Sequence, residues 1–271
     1  MALQHTRSHS FPSGSQPSII QVDESLLSEP TTPSSLSSVT DRIKGLQNLY
    51  ENIDDLLLLP HIQRIIAQEC SEKCVDEILE GYIMLLDACA AARDLISLAK
   101  KDAQELLSAV RRRAHAEASS SYLTSRIKLR KVVEKALKAS SIRKKQVLEK
   151  GCETEPVVDL LMNSKSATSA MLNSLFLYMM GAKVRSRHSS RYLLMSKLMD
   201  SKKVSSQDEQ TEFSKVDTAL LGFKDDIKVD DLLNCLKEME SSIQILGDGL
   251  ECLFRRLIKT RVLLLNILSR H

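Results

Sequence analysis

The amino-acid sequence predicts an all-α protein: an elongated antiparallel bundle of about four long helices with shorter linking helices, preceded by a disordered N-terminal tail. Three observations predict it. Leu232, Leu236, Met239, Ile243, Leu246, Leu250, Leu253 and Leu257 recur at alternating spacings of four and three, which is the pattern of a coiled-coil seam. Only 8 Gly and 6 Pro occur in 271 residues, too few turn-formers for a sandwich or barrel of many short strands. Hydrophobic residues make up 43% of the chain but aromatics only 4%, with no Trp, so Leu, Ile, Val, Met and Ala must fill the core.

Residues 1–38 hold four of the six prolines and eleven serines. Such a stretch cannot bury enough apolar surface to offset its ordering entropy, and a disordered tail is expected there, followed by one helical domain over 39–271. Ser38 with Asp41 three residues on reads as a capping box, and Val39, Ile43, Leu46, Leu49, Ile53 and Leu57 keep helical spacing up to Pro60. A short helix is expected over 61–70, and Ser71 is placed to cap a long one whose stripe runs from Val75 to Val110 and ends in Arg111, Arg112 and Arg113. Those arginines complement the helix dipole. Ser119–Ser121 reads as a turn or kink ahead of a basic helix with Tyr122, Leu129, Val133 and Ala136 on one face, stopped by Gly151. Pro156 opens an apolar helix over 157–181 that should be buried on most sides. Short helices over 192–199 and 213–221 precede the final long helix, from about Asp225 to Leu268, in which Gly247 and Gly249 suggest a kink or a close helix approach.

Charge is unevenly spread. Residues 111–150 carry thirteen Lys or Arg against three Glu, whereas residues 41–110 carry seven basic against thirteen acidic, and the net charge of +3 hides this polarity. Arg111, Arg112, Arg113, Arg126, Lys128, Arg130, Lys131, Lys135, Lys138, Arg143, Lys144 and Lys145 are therefore candidates for contact with an anionic membrane surface; the alternative is that they pair with the acidic first half of the bundle. Nucleic acid is the weaker partner, since only Tyr122 offers an aromatic platform among these charges. A sharper motif lies in the tail. Arg7, Ser8, Ser10 and Pro12 read RSxSxP, a docking motif of the 14-3-3 type in which phosphorylated Ser10 would present about two negative charges to an arginine cluster.

No Gly-rich phosphate loop, HExxH or nucleophile turn is present, and the acidic pairs Asp54-Asp55, Asp225-Asp226 and Asp230-Asp231 are spaced as helix-surface or helix-start charge. Cys70 and Cys74 stand one helical turn apart with no His in local reach and read as helix-face thiols, so no metal and no cofactor are expected. The cysteines form no disulfide framework, which suggests a reducing compartment. No run approaches the ~20 apolar residues of a membrane span, and a signal-peptide core is lacking; the expected location is cytoplasmic, possible membrane attachment being peripheral.

Three blocks, Gly81–Arg113 (GYIMLLDACAAARDLISLAKKDAQELLSAVRRR), Thr211–Phe223 (TEFSKVDTALLGF) and Gly249–Ser269 (GLECLFRRLIKTRVLLLNILS), resemble the plant-specific BYPASS-like family. Where that family often shows a Trp before an SKLM-like stretch, this chain has Arg191–Met199 without one. The resemblance implies a helical plant protein linked to root and shoot development, without established catalysis, and it supplies no site residues. The expected function is thus a non-enzymatic interaction or regulatory protein with a phosphorylatable tail. The alternatives are a peripheral membrane module using the basic helix, and a binder or enzyme acting on a small-molecule signal.

Overall fold

The computed structural model describes residues 35–113, 115–147, 155–181, 210–221 and 229–270, and among them every regular element is helical. Helix α1 spans Leu36–Leu57. Ser35 caps it, its hydroxyl accepting from the Ser38 N–H at 3.2 Å, so the helix starts one turn before the expected Ser38 box. Helix α2, Pro60–Arg64, continues as a π-helical turn over Ile65–Glu69. Helix α3 spans Glu72–Arg111 and is capped by Ser71 as the sequence indicates, the hydroxyl accepting from the Cys74 N–H.

Arg113 takes a left-handed conformation, φ 58°, which ends the run of helix and turns the chain into α4, His115–Val147. Helix α4 passes straight through Ser119–Ser121, where a kink is expected from the sequence, because the turn already falls at Arg112 and Arg113. Helix α5 spans Pro156–Met180 and ends on Gly181, whose φ of 66° suits a residue without a Cβ. Helix α6 spans Glu212–Leu221 and helix α7 spans Val229–Ser269. Of the expected disordered tail over 1–38, residues 1–34 lie outside the described residues, whereas Ser35 to Ser38 form the cap and first turn of α1 because the Ser35 hydroxyl satisfies a first-turn N–H. The stop at Gly151, the helix over 192–199 and the stretch 225–228 also lie outside the described residues.

Helices α3 and α7, of 40 and 41 residues, are each about 60 Å long and share the most extensive helix contact among the described residues. They run antiparallel: Arg93 pairs with Glu251 at 2.6 Å, Lys100 donates to Gln244 at 2.7 Å, and Gln104 donates to Glu240 at 2.7 Å. Helix α1 runs parallel to α7, since Gln47 donates to the Gly249 carbonyl, Glu51 pairs with Arg256 and Asp54 meets Thr260. The N-terminal turns of α3 and α5 meet the C-terminal turns of α7 around one apolar gap lined by Val75, Ile78, Val158, Leu161 and Leu264, so α3 and α5 point the same way. One end of the bundle is therefore α1, α3, α5 and α7. Toward the other end, α4 and α6 pack alongside the continuing α3 and α7.

The eight-residue stripe predicted on α7 is buried throughout, each member 0 or 1% exposed. Gly249 sits where α1 comes closest: a Cβ there would stand 3.1 Å from Ile43 Cγ2. The glycine serves close approach, and α7 runs on without a break. Helix α5 is buried on most sides, as its composition predicts. Replacing Leu246 by Asp would bury an unpaired charge at a cost of several kcal/mol, against a typical total of about 5–15. The expected outcome is unfolding, or a drop in Tm on the order of 10 °C by circular dichroism; an unchanged Tm would contradict this packing.

Candidate functional site

Helix α4 sorts its basic residues by helical register. Its apolar face continues from Tyr122 through Leu129 to Val133, all buried, at spacings of seven and four, and Arg126 occupies the seam position between the first two. Lys128, Lys131, Lys135 and Lys138 fall on the opposite side and are exposed. The sequence leaves all of these open either to an anionic surface or to partners within the bundle. The structure divides them.

Arg126 is 4% exposed. Its guanidinium grips both oxygens of Asp217 on α6, Nε to Oδ1 at 3.1 Å and Nη2 to Oδ2 at 3.0 Å, while Nη1 donates to the Met179 carbonyl at 2.9 Å. Its plane lies over the Phe213 ring, 4.9 Å from the centroid. Burial pulls its pKa down, and the negative groups around it, Asp217 foremost with Asp102 farther off, together offset this and leave the guanidinium above its ordinary value. Arg130, half-buried, adds a second contact to Asp217 Oδ2 at 2.7 Å. Beside this cluster Tyr178 donates to Glu212 and stacks edge-on against Phe213, centroids 5.8 Å apart. Arg126 and Arg130 are thus withdrawn from any anionic-surface contact: they fasten α6 to α4 and to the end of α5. A buried guanidinium needs this fork-shaped pairing, because leaving it unpaired would cost far more than the pair gains.

Two further polar groups cross the bundle interior. Asp54, fully buried, accepts from the Thr260 hydroxyl at 2.6 Å, and Lys259 Nζ lies 3.1 Å from its other oxygen in an ion pair whose angle falls short of a hydrogen bond. This corrects the surface role expected of Asp54, whereas Asp55 is exposed as expected. Tyr50 and Tyr82 pack edge-on at 6.3 Å and reach across to α5. Thr168 donates to the Ser164 carbonyl and Ser164 to that of Leu161, which leaves both hydroxyl oxygens to accept from Tyr50 at 2.8 Å and Tyr82 at 3.3 Å. Burial pushes both tyrosines above their usual value, and Tyr122 and Tyr178 likewise. The Cys89 thiol is pushed up to about 12 by burial.

The basic residues in the last third of α7 are largely engaged within the molecule: Arg255 pairs with Glu251, Arg256 with Glu51 and Lys259 with Asp54. They line an open surface depression of about 430 Å³ with Asp248, Glu251 and Cys252. The apolar gap between α3, α5 and α7 measures about 10 Å³, room for one water-sized probe. No helix among the described residues is long and apolar enough to cross a membrane.

A family model described as Protein BPS1 matches residues 42–267. The chain belongs to the Protein BPS1 family. No curated protein and no solved structure matches it significantly. The Protein BPS1 match begins within α1 and ends two residues short of the end of α7, so the family signature and the helical bundle are one object. It also spans α6, and with it both halves of the Arg126–Asp217 clamp.

Of the candidate residues in this Protein BPS1 member, Arg7, Ser8, Ser10 and Pro12 lie outside the described residues, as do the side chains of Arg143, Lys144 and Lys145 on the last turns of α4. Arg111, Arg112 and Arg113 are exposed at the α3–α4 turn. Sequence reasoning missed Asp217 and Asp54. Both carried a legible signal, since each is an acid on the apolar face of its helix, Asp217 four residues after buried Phe213 and Asp54 four after buried Tyr50.

Asp217→Asn leaves Arg126 buried without its countercharge and is expected to cost about 3–5 kcal/mol; Asp217→Asn combined with Arg126→Met should recover much of that loss, as read by urea denaturation. Equal losses in the single and double variants would contradict the clamp. The tyrosines give a second test. Their folded values lie above the ordinary 10.0, so the stability they contribute is complete below pH 10 and is lost as pH climbs toward the folded values. Four of the five tyrosines should then form phenolate only together with unfolding, followed by near-ultraviolet absorbance alongside circular dichroism; early, reversible ionisation of all five in the folded state would count against this burial.

Proposed function

We propose that this member of the Protein BPS1 family is a non-enzymatic interaction and regulatory protein acting in plant root and shoot development, its N-terminal tail docking a 14-3-3 protein once Ser10 is phosphorylated. The developmental setting rests on membership of the Protein BPS1 family and on the resemblance to the BYPASS-like proteins. The observation that carries the molecular reading is the use made of the buried polar groups. Arg126 with Asp217, Asp54 with Thr260, and Tyr50 and Tyr82 with Thr168 and Ser164 are spent on joining helices. Reactive chemistry needs titratable groups converging on an open, shaped cavity, whereas these buried groups converge on each other.

The surface supports the same reading. Ile258, Val262 and Leu265, at helical spacing along the outer edge of α7, are 38–46% exposed, beyond what internal packing of that helix requires. The RSxSxP tail precedes the bundle by about two dozen residues, so a partner held there need not disturb the helices.

A peptide covering residues 4–15 and phosphorylated at Ser10 is expected to bind a 14-3-3 protein with micromolar or tighter Kd by calorimetry, and the unphosphorylated peptide to give no heat. Absence of heat from the phosphopeptide would end the docking part of this reading.

A further inference from the structure

We propose that the outward face of α4 is a docking surface for an anionic lipid bilayer, independent of the tail. At about 100° per residue, the exposed side chains Ile127, Lys138, Lys131, Lys135, Lys128 and Val132 fall in that angular order within one arc of roughly 140° on the helix. Four lysines thus form a ridge along about three turns, and an aliphatic side chain flanks it on each edge, Ile127 at 52% and Val132 at 50% exposure. The one acid between Ala118 and Lys138 is Glu134, half-buried and off the arc. None of the four lysines takes part in an ion pair among the described residues, whereas the two arginines of the same stretch are turned inward onto Asp217.

This division selects the partner. Arginine forks read bases and grip phosphates in two-point fashion, and here they are consumed inside the bundle. The compact ammonium groups that remain, on long flexible stems, suit a diffuse anionic plane over which the stems can snorkel. Ile127 and Val132 decide between lipid and nucleic acid. Against a hydrated phosphate backbone two bare aliphatics gain nothing, and the arc has no aromatic on which a base could stack. At a bilayer they enter the boundary between headgroups and acyl chains, while the lysines stay among the headgroups. Each lysine brought to such a surface raises the partition coefficient about fivefold.

The test uses the full chain in flotation with vesicles of phosphatidylcholine alone and of phosphatidylcholine containing phosphatidylserine. Binding to the anionic vesicles only, released by high salt, is the expected result. Lys128→Gln, Lys131→Gln, Lys135→Gln and Lys138→Gln together should lower the partition coefficient on the order of several hundredfold, with an unchanged melting curve because all four are solvent-facing. A charge-matched control, Lys44→Gln, Lys73→Gln, Lys101→Gln and Lys237→Gln, should lose far less. Ile127→Ser with Val132→Ser should weaken binding while keeping its salt dependence. No flotation with anionic vesicles at low salt would overturn the proposal, as would equal losses in the two lysine sets. Tight binding of a short nucleic-acid duplex in place of vesicles would transfer the face to a different partner.

Discussion

The burial of one apolar stripe, Leu232 to Leu257 on α7, between α3 and α1 is the interaction on which the rest of the structure depends. An isolated helix of this sequence would expose eight large aliphatic side chains, each contributing about 1.5–3 kcal/mol when removed from water. No other helix among the described residues touches so much of the molecule: α3 covers the stripe along most of its length, α1 covers one half, and α6 packs toward the other. Helix α5 closes the far side by lying on α1 and α3. Because α7 is uninterrupted over 41 residues and about 60 Å long, it makes a single continuous core where the chain length alone would have allowed two.

A Leu-rich seam supplies stabilisation without much choice of register, since one turn's slip would bury similar side chains. The polar contacts across the bundle supply that choice. Asp54 with Thr260 and Gln47 with the Gly249 carbonyl fix α1 against α7, and Arg93 with Glu251 fixes α3 against α7. Arg126 with Asp217 does the same for α6. Such pairs need not stabilise the fold much beyond what apolar replacements would. For Asp54 and for Arg126 with Asp217 the physical effect is that any other arrangement strands a buried charge. On α4 the same accounting divides the surface from the interior: its inward-turned cations, Arg126 and Arg130, are arginines, and the exposed row without an ion pair among the described residues is lysine.

Much of this architecture is legible in the sequence, and the parts that are not share a cause. The α7 stripe, the α3 stripe, the Ser71 cap and the burial of α5 follow from local periodicity and composition, which a sequence carries in full. The start of α1 was misplaced because Ser35 and Ser38 are both good caps and only the three-dimensional context chooses. Ser119–Ser121 suggested a kink by composition, yet Arg113 had already taken the left-handed residue that turns the chain. Which cations of the basic helix turn inward is not legible because charge content is local, whereas the partner that turns Arg126 inward lies 91 residues away on another helix. Asp54 and Thr260, 206 residues apart, are hidden for the same reason. An acid or arginine on an otherwise apolar face was the available clue, and it reports that a partner exists without naming it.

Family membership places the chain among the Protein BPS1 proteins, and the described part of this bundle uses its buried polar groups to join its own helices. Native-state hydrogen exchange tests this core most directly. The amides of α7 from about Ile243 to Leu257, with those of α3 facing them, should be the slowest in the molecule, exchanging only through global unfolding and with one common dependence on denaturant. Exchange of the α7 amides as fast as those at its exposed ends, or ahead of the rest of the bundle, would contradict the account.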